Sequence, residues 1–197
     1  GTISLNTNYT SGNINVRITD GLTKYVIPIN LTTVSSPYEN NYNVIPGITQ
    51  SITASVTSYS KYELTSSVTG VSVNSNNGTI SLNTNYTSGN INVTVSSTNS
   101  KYAIPINFTQ VSRPYQSSYA IIKGILQIIE PPSTTYDSYK LTSPVTGVSI
   151  SSTGVINIDE NYTSGNISVT TTSGKVTYNI PITLTTTSSP YQTSYTI

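Results

Sequence analysis

The chain has 197 residues, of which 87 are Ser, Thr or Asn, and eight basic and seven acidic side chains give it a net charge of +1. So few scattered cations exclude a basic stripe for nucleic acid, and the absence of Cys excludes a disulfide framework and a thiolate metal site. His is absent as well, so the usual general base and thiol nucleophile are both missing, and we expect no enzyme and no cofactor.

No run of 18 apolar residues is present, so the sequence predicts no membrane span. Sixteen Tyr and frequent Val and Ile favour a folded β-protein over a disordered chain, because disordered chains lack aromatic and β-branched residues.

One block of sequence occurs three times along the chain. Residues 1–16, GTISLNTNYTSGNINV, return letter for letter at 78–93 and in looser form, GVINIDENYTSGNISV, at 154–169. Residues 1–38 match residues 78–115 at 27 of 38 positions. A fixed period of 76 to 77 residues indicates one structural unit copied in tandem. Such arrays typically serve length, display or polymerisation.

Apolar and polar residues alternate through each unit, as in half-buried strands, and short turn signals separate the runs. VTGVS at 68–72 followed by NGTI at 77–80 predicts a hairpin closed by a glycine turn. About seven strands in each unit predict an all-β fold of tandem sandwich modules of about 77 residues, arranged as a rod. In the first complete unit the strands are predicted near 42–46, 48–57, 61–65, 69–74, 78–83, 90–96 and 102–111.

The unit begins near the sequence SSPY, which places the boundaries along the chain. We predict the C-terminal half of a module at 1–36, complete modules at 37–113 and 114–189, and the first strand of a next or donated module at 190–197.

The succession of YKL, VTGVSI, STGVINI and SGNISVT over residues 139–170 resembles the immunoglobulin-like or cadherin-like repeats of bacterial and archaeal surface proteins. The resemblance covers most of each unit and implies an immunoglobulin-like sandwich and an extracellular or cell-surface role. Cadherins carry acidic calcium-binding motifs between domains, whereas this chain has SSPY, SRPY and SSPY, which argues against calcium-stiffened junctions.

The Pro-Tyr junctions follow the last strand of each unit directly. Proline fixes φ, so one interpretation is a rigid elbow between modules with Tyr wedged at the interface, and the other is an ordinary turn. A second Tyr lies four residues after the first, and each pair could pack inside one module or between modules or subunits. The junction residues are Pro37, Tyr38, Pro114, Tyr115, Pro190 and Tyr191.

Eight Asn-x-Ser/Thr sequons are the strongest chemical signal after the repeat. Asn8, Asn85 and Asn161 occupy the same predicted exposed turn, Asn-Tyr-Thr-Ser-Gly-Asn, in all three copies. The turn favours glycan attachment in a secreted protein, and equally its Asn and Gly could serve only to make the turn. The other candidates are Asn30, Asn77, Asn92, Asn107 and Asn166.

Pro28, Pro105 and Pro181 lie in Ile-Pro-Ile within the last strand of each copy, where Tyr25, Tyr102 and Tyr178 precede them as core or rim residues. Proline cannot donate to a ladder, so it either protects a strand edge or marks where pairing switches sides.

The chain begins and ends in mid-unit, which we interpret as a segment of a longer array or as a subunit of a head-to-tail assembly. We therefore predict a structural component of an extracellular filament, pilus-like fibre or adhesin stalk. Strand complementation between subunits is an option, and the partners are copies of itself or adjacent repeats. The alternative is an adhesin module whose loops recognise glycan or a host surface.

Overall fold

A computed structural model describes residues 2–6, 9–10, 12–56, 58–131 and 136–191. It divides into two compact units, Gly1–Ser36 and Pro37–Ile197, and every regular element in the described part is a β-strand. None of the described residues form a helix of the length and hydrophobicity needed to cross a membrane.

The first unit contains one antiparallel hairpin. Strands β1 (Ile14–Asp20) and β2 (Thr23–Ile29) pair from Ile14 opposite Ile29 to Asp20 opposite Thr23. Gly21 closes the turn with φ of +57°, a conformation that glycine adopts without steric cost. Most side chains of the hairpin are exposed to solvent.

The second unit begins with a sandwich of seven strands in two sheets. One sheet has the order β3-β9-β8-β5 and the facing strands have the order β4-β7-β6. The first strand, β3, runs parallel to the last, β9, and the remaining pairs are antiparallel. The strands are β3 (Asn41–Val44), β4 (Thr49–Ile52), β5 (Lys61–Leu64), β6 (Val71–Val73), β7 (Ile80–Leu82), β8 (Ile91–Ser96) and β9 (Lys101–Gln110).

The following seven strands repeat this plan, with β10, β16, β15 and β12 in one sheet and β11, β14 and β13 in the other. This is the strand order of a seven-stranded immunoglobulin-like sandwich, so the predicted fold class is confirmed. The strands are β10 (Ser118–Ile122), β11 (Gln127–Ile129), β12 (Ser138–Leu141), β13 (Val148–Ile150), β14 (Ile156–Ile158), β15 (Ile167–Ser173) and β16 (Val176–Thr187).

Alternate side chains of the strands point between the two sheets and form the core, as the period-2 pattern predicts. The same repeat positions are buried in both sandwiches, so one pattern of apolar residues builds both cores. Six such positions are occupied by Val44, Ile52, Tyr62, Leu82, Val93 and Ile106 in the first sandwich and by Ile121, Ile129, Tyr139, Ile158, Val169 and Ile182 in the second.

Candidate functional site

Two of the Pro-Tyr junctions are followed by a complete sandwich. The first tyrosine of each, Tyr38 or Tyr115, lies in the core of that sandwich. The Tyr38 hydroxyl donates a hydrogen bond to the Gly78 carbonyl oxygen at 2.6 Å, and the Tyr38 ring meets the Tyr62 ring edge to face. Tyr115 makes the corresponding bond to the carbonyl oxygen of Gly154. Burial raises the pKa of both hydroxyls well above the ordinary tyrosine value, so both stay protonated donors at neutral pH.

The second tyrosine of each of these two junctions, Tyr42 or Tyr119, closes a local turn. The Tyr42 hydroxyl oxygen accepts a hydrogen bond from the Glu39 backbone N–H at 2.8 Å, and Tyr119 accepts one from Gln116 at 3.0 Å. Both tyrosine pairs therefore bond within the sandwich that follows the junction. The third junction begins with Pro190 and Tyr191, which are both exposed.

The junction between the two sandwiches carries Arg113 where the first and third junctions carry Ser36 and Ser189. One terminal nitrogen of its guanidinium donates to the carbonyl oxygen of Pro181 in β16. A charged donor thus ties the connecting segment to the last strand of the second sandwich.

The Asn-Tyr-Thr-Ser-Gly-Asn turn is built around its tyrosine. The Tyr86 hydroxyl donates to the Gly89 carbonyl oxygen at 2.9 Å, and Tyr162 donates to Gly165 at 2.8 Å. Both rings are buried, while Asn85 and Asn161 are exposed at the outside of the turn. The turn therefore has a structural role in each sandwich and also presents an asparagine to solvent.

Seven of the eight sequon asparagines are described and all seven are exposed; Asn8 lies outside the described residues. Some of their side chains are already engaged: Asn77 accepts a bond from the Thr79 N–H at 2.9 Å and Asn166 one from Leu184 at 3.3 Å. The exposed positions are Asn30, Asn77, Asn85, Asn92, Asn107, Asn161 and Asn166.

Pro181 marks a change of partner along one edge of β16. Before it, Val176–Asn179 pair antiparallel with β4, and after it, 183–187 pair in parallel with β10. Because proline lacks an N–H, it fits the point at which this edge leaves one neighbour for the next. The partner therefore changes at Pro181 along a single edge of β16, and pairing does not switch to the other edge.

The pairing of β4 with β16 joins the two sandwiches edge to edge, because β4 belongs to the first sandwich and β16 to the second. The register runs from Ile52 opposite Val176 to Thr49 opposite Asn179, and the two sheets become one sheet across the join. The Tyr178 hydroxyl donates to the carbonyl oxygen of Asn43 at 2.7 Å. This interface was not predicted from the sequence.

The residues that form this interface have counterparts in the other repeats, and those counterparts are not paired with a neighbouring sandwich in the described structure. Strand β11 is the counterpart of β4, and within the described residues it pairs only with β14. Ile48, just before β4, is 1% exposed, whereas its counterpart Ile125 is 41% exposed. Tyr178 is 1% exposed, whereas Tyr102, its counterpart in the complete first sandwich, is half-buried. The same two repeat positions are thus less exposed where the edges of two sandwiches meet than where they do not.

Among the described residues, no three His, Cys, Asp or Glu side chains are placed to hold a metal ion. The described ion pair joins Lys61 to Glu63 at the surface, at 2.6 Å. Such exposed pairs contribute little to stability.

No protein-family model matches the chain, and no curated protein matches it. Solved structures similar to it include extracellular domains 3–5 of Drosophila OTK, the I9–I11 tandem of titin and the N-terminal four immunoglobulin domains of Dscam1 isoform 8.4. Their identities are 12%, 11% and 9%, each with a TM-score of 0.30. The matches cover 78%, 89% and 91% of this chain and 64%, 74% and 61% of the other chains. The fold is identified by the strand order and not by these likenesses.

Proposed function

We propose that the chain is a structural component of an extracellular filament, pilus-like fibre or adhesin stalk, made of immunoglobulin-like repeats joined head to tail. The observation that carries the proposal is the β4–β16 pairing, which continues one sheet from a sandwich into the next. A backbone ladder resists separation of neighbouring modules better than a flexible linker does. This role is mechanical and needs no catalytic group or cofactor.

The repeat supports growth in one direction. The two sandwiches present different edges to each other, β4 from one and β16 from the other, so the contact is heterologous. Heterologous contacts between identical units generate open fibres unless the rotation closes a ring. Strand complementation between subunits fits the same plan, because in each sandwich the first strand pairs in parallel with the last. A first strand from another chain could take that place.

N-glycans are the proposed covalent partners of this surface. Asn85 and Asn161 project from equivalent turns of the two sandwiches, which would place glycans at a regular spacing along an array. Peptide mass spectrometry of native material should find modified Asn85 and Asn161. Bare asparagine at both positions would contradict the glycan proposal and leave the structural role untouched.

Negative-stain electron microscopy of native material, with intact-mass analysis of the same sample, tests the structural role. We expect long unbranched fibres whose subunit mass exceeds that of the polypeptide. Isolated short rods with the polypeptide mass would contradict the polymer.

A further inference from the structure

We infer that the open edge of β11 binds β2 of a second copy of this chain, by the same antiparallel pairing that joins β4 to β16. The inference deepens the proposed function and rests on it, since it names the surface through which subunits would meet. The occupant is a protein strand because the described edge of β11 opposite β14 presents unpaired backbone, a template for strand addition.

The exposed apolar side chains on β11 and just before it indicate that its open edge is normally covered. Leu126 and Ile128 are both more than half exposed, and Ile125 beside them is 41% exposed. At the equivalent positions the joined edge carries Thr49 and Ser51. The open β11 edge is therefore more apolar than the joined β4 edge. Exposed apolar surface of this kind promotes aggregation unless a partner covers it.

The repeat alignment fixes the register of the proposed contact. Residues 176–179 of β16 correspond to residues 23–26 of β2, and residues 49–52 of β4 correspond to 126–129. The observed pair of Thr49 with Asn179 therefore predicts Leu126 opposite Val26 of the second copy. Likewise Ser51 opposite Thr177 predicts Ile128 opposite Lys24.

The residue opposite Leu126 selects β2 over β9 as the partner strand. Within the described residues, β9 also has an open edge at this position, and it would place Ala103 opposite Leu126. In β2 the position holds Val26, which is 59% exposed. Thus the polar Thr49 faces the polar Asn179 in the observed pair, and the large apolar Leu126 would face a β-branched apolar residue. Matched cross-strand pairs of this kind stabilise a sheet.

Cysteine cross-linking tests the contact, because the chain contains no cysteine of its own. Lys24→Cys and Ile128→Cys are made in separate chains and mixed under mild oxidation, so any disulfide between them joins two molecules. Directly opposite residues of an antiparallel pair lie within disulfide range, so we expect at least about tenfold more mixed dimer than in the control. The control replaces Ile128→Cys with Ser149→Cys, an exposed residue on β13 at the far edge of the same sheet.

Two outcomes would overturn the inference. Mixed dimer no more abundant than in the Ser149→Cys control would exclude the β11 edge as the contact. Cross-linking of Ile128→Cys to Lys101→Cys in preference to Lys24→Cys would assign the partner strand to β9. Fibres in native material together with either result would retain the filament and reject this interface. A cross-link without fibres would retain the interface and reject the filament.

Charge placed on the β11 edge gives a second test that leaves the core untouched. In the proposed register, Ile128→Lys would face Lys24 of the second copy, whereas Ile128→Glu would face it with the opposite sign. Sedimentation velocity should show that Ile128→Lys abolishes self-association and that Ile128→Glu self-associates more strongly than Ile128→Lys does. Equal effects of the two substitutions would contradict the placement of Lys24 opposite residue 128.

Discussion

The two complete sandwiches share a core and differ at one edge. Equivalent positions such as Ile52 and Ile129 are buried in both, so the repeat specifies the same interior twice. The edges formed by β4 and β11 differ, because β4 is paired with β16 while β11 has no such neighbour in the described structure. The repeat therefore specifies the interior of each sandwich independently of whether the edge formed by its second strand is paired with a neighbour.

Both sandwiches should lose stability at high pH, because each buries tyrosine hydroxyls. Burial raises the pKa of Tyr38 and Tyr115, and also that of Tyr178, above their unfolded value near 10. The unfolded chain therefore loses these protons first, so the stability they contribute is complete below about pH 10 and is lost as pH rises beyond it. Each such tyrosine adds about 1.4 kcal/mol per pH unit to that loss.

Tyrosinate absorbance and far-UV circular dichroism, recorded together against pH, provide the measurement. We expect tyrosinate from the buried rings to form only as the β-signal disappears. Ionisation of every tyrosine near pH 10 in an intact fold would contradict the buried positions.

The next effect compares a matched glycine pair. Gly70 and Gly147 have φ of +77° and +76°, and an added Cβ would lie 2.3 and 2.2 Å from the backbone nitrogens of Tyr86 and Tyr162. Left-handed strain and overpacking together predict a loss of about 2 to 5 kcal/mol for Gly→Ala at either position. Denaturant unfolding should give similar losses at both positions, since the two cores are built alike.

Gly174→Ala is the control for this pair. Gly174 has φ of +55° and open space where the Cβ would lie, so it isolates the strain of about 1 to 2 kcal/mol. If Gly147→Ala loses no more unfolding free energy than Gly174→Ala, then Gly147 does not lie against the backbone of Tyr162 as described.

The smallest effect concerns the hydroxyl that crosses between sandwiches. Tyr178→Phe removes the hydrogen bond to Asn43 and should lower the free energy of unfolding by about 1 kcal/mol. Its matched variant, Tyr102→Phe, should change stability little, because in the described part of the chain the Tyr102 side chain makes no such bond to another sandwich. Equal losses of unfolding free energy in Tyr178→Phe and Tyr102→Phe would show that the bond to Asn43 does not stabilise the join.

Much of the sandwich could be predicted from the sequence because its signals are local. The alternation of apolar and polar residues predicted seven strands near their observed positions, and VTGVS with NGTI predicted the β6–β7 hairpin. The proline in Ile-Pro-Ile indicated either a protected edge or a switch of pairing from one side to the other, and Pro181 lies where one edge of β16 passes from β4 to β10.

The join between sandwiches could not be predicted in the same way. The pairing of β4 with β16 links residues more than 120 positions apart, and either edge satisfies the same period-2 pattern whether it is covered or open. Tyr38 and Tyr115 illustrate the same difficulty, since the sequence left open whether they pack within or between modules. Their bonds to Gly78 and Gly154 depend on which glycine carbonyl the fold brings within reach.

Single-residue amide hydrogen exchange measured by NMR would show whether a backbone ladder joins the two sandwiches in solution. In β16, alternate amides of residues 176–179 point toward β4, and their counterparts in residues 100–103 face an edge that is open in the described structure. We expect the first set to exchange at least about tenfold more slowly than the second, because only the first is hydrogen-bonded across the join. Equal, fast exchange in both sets would contradict the join between the sandwiches.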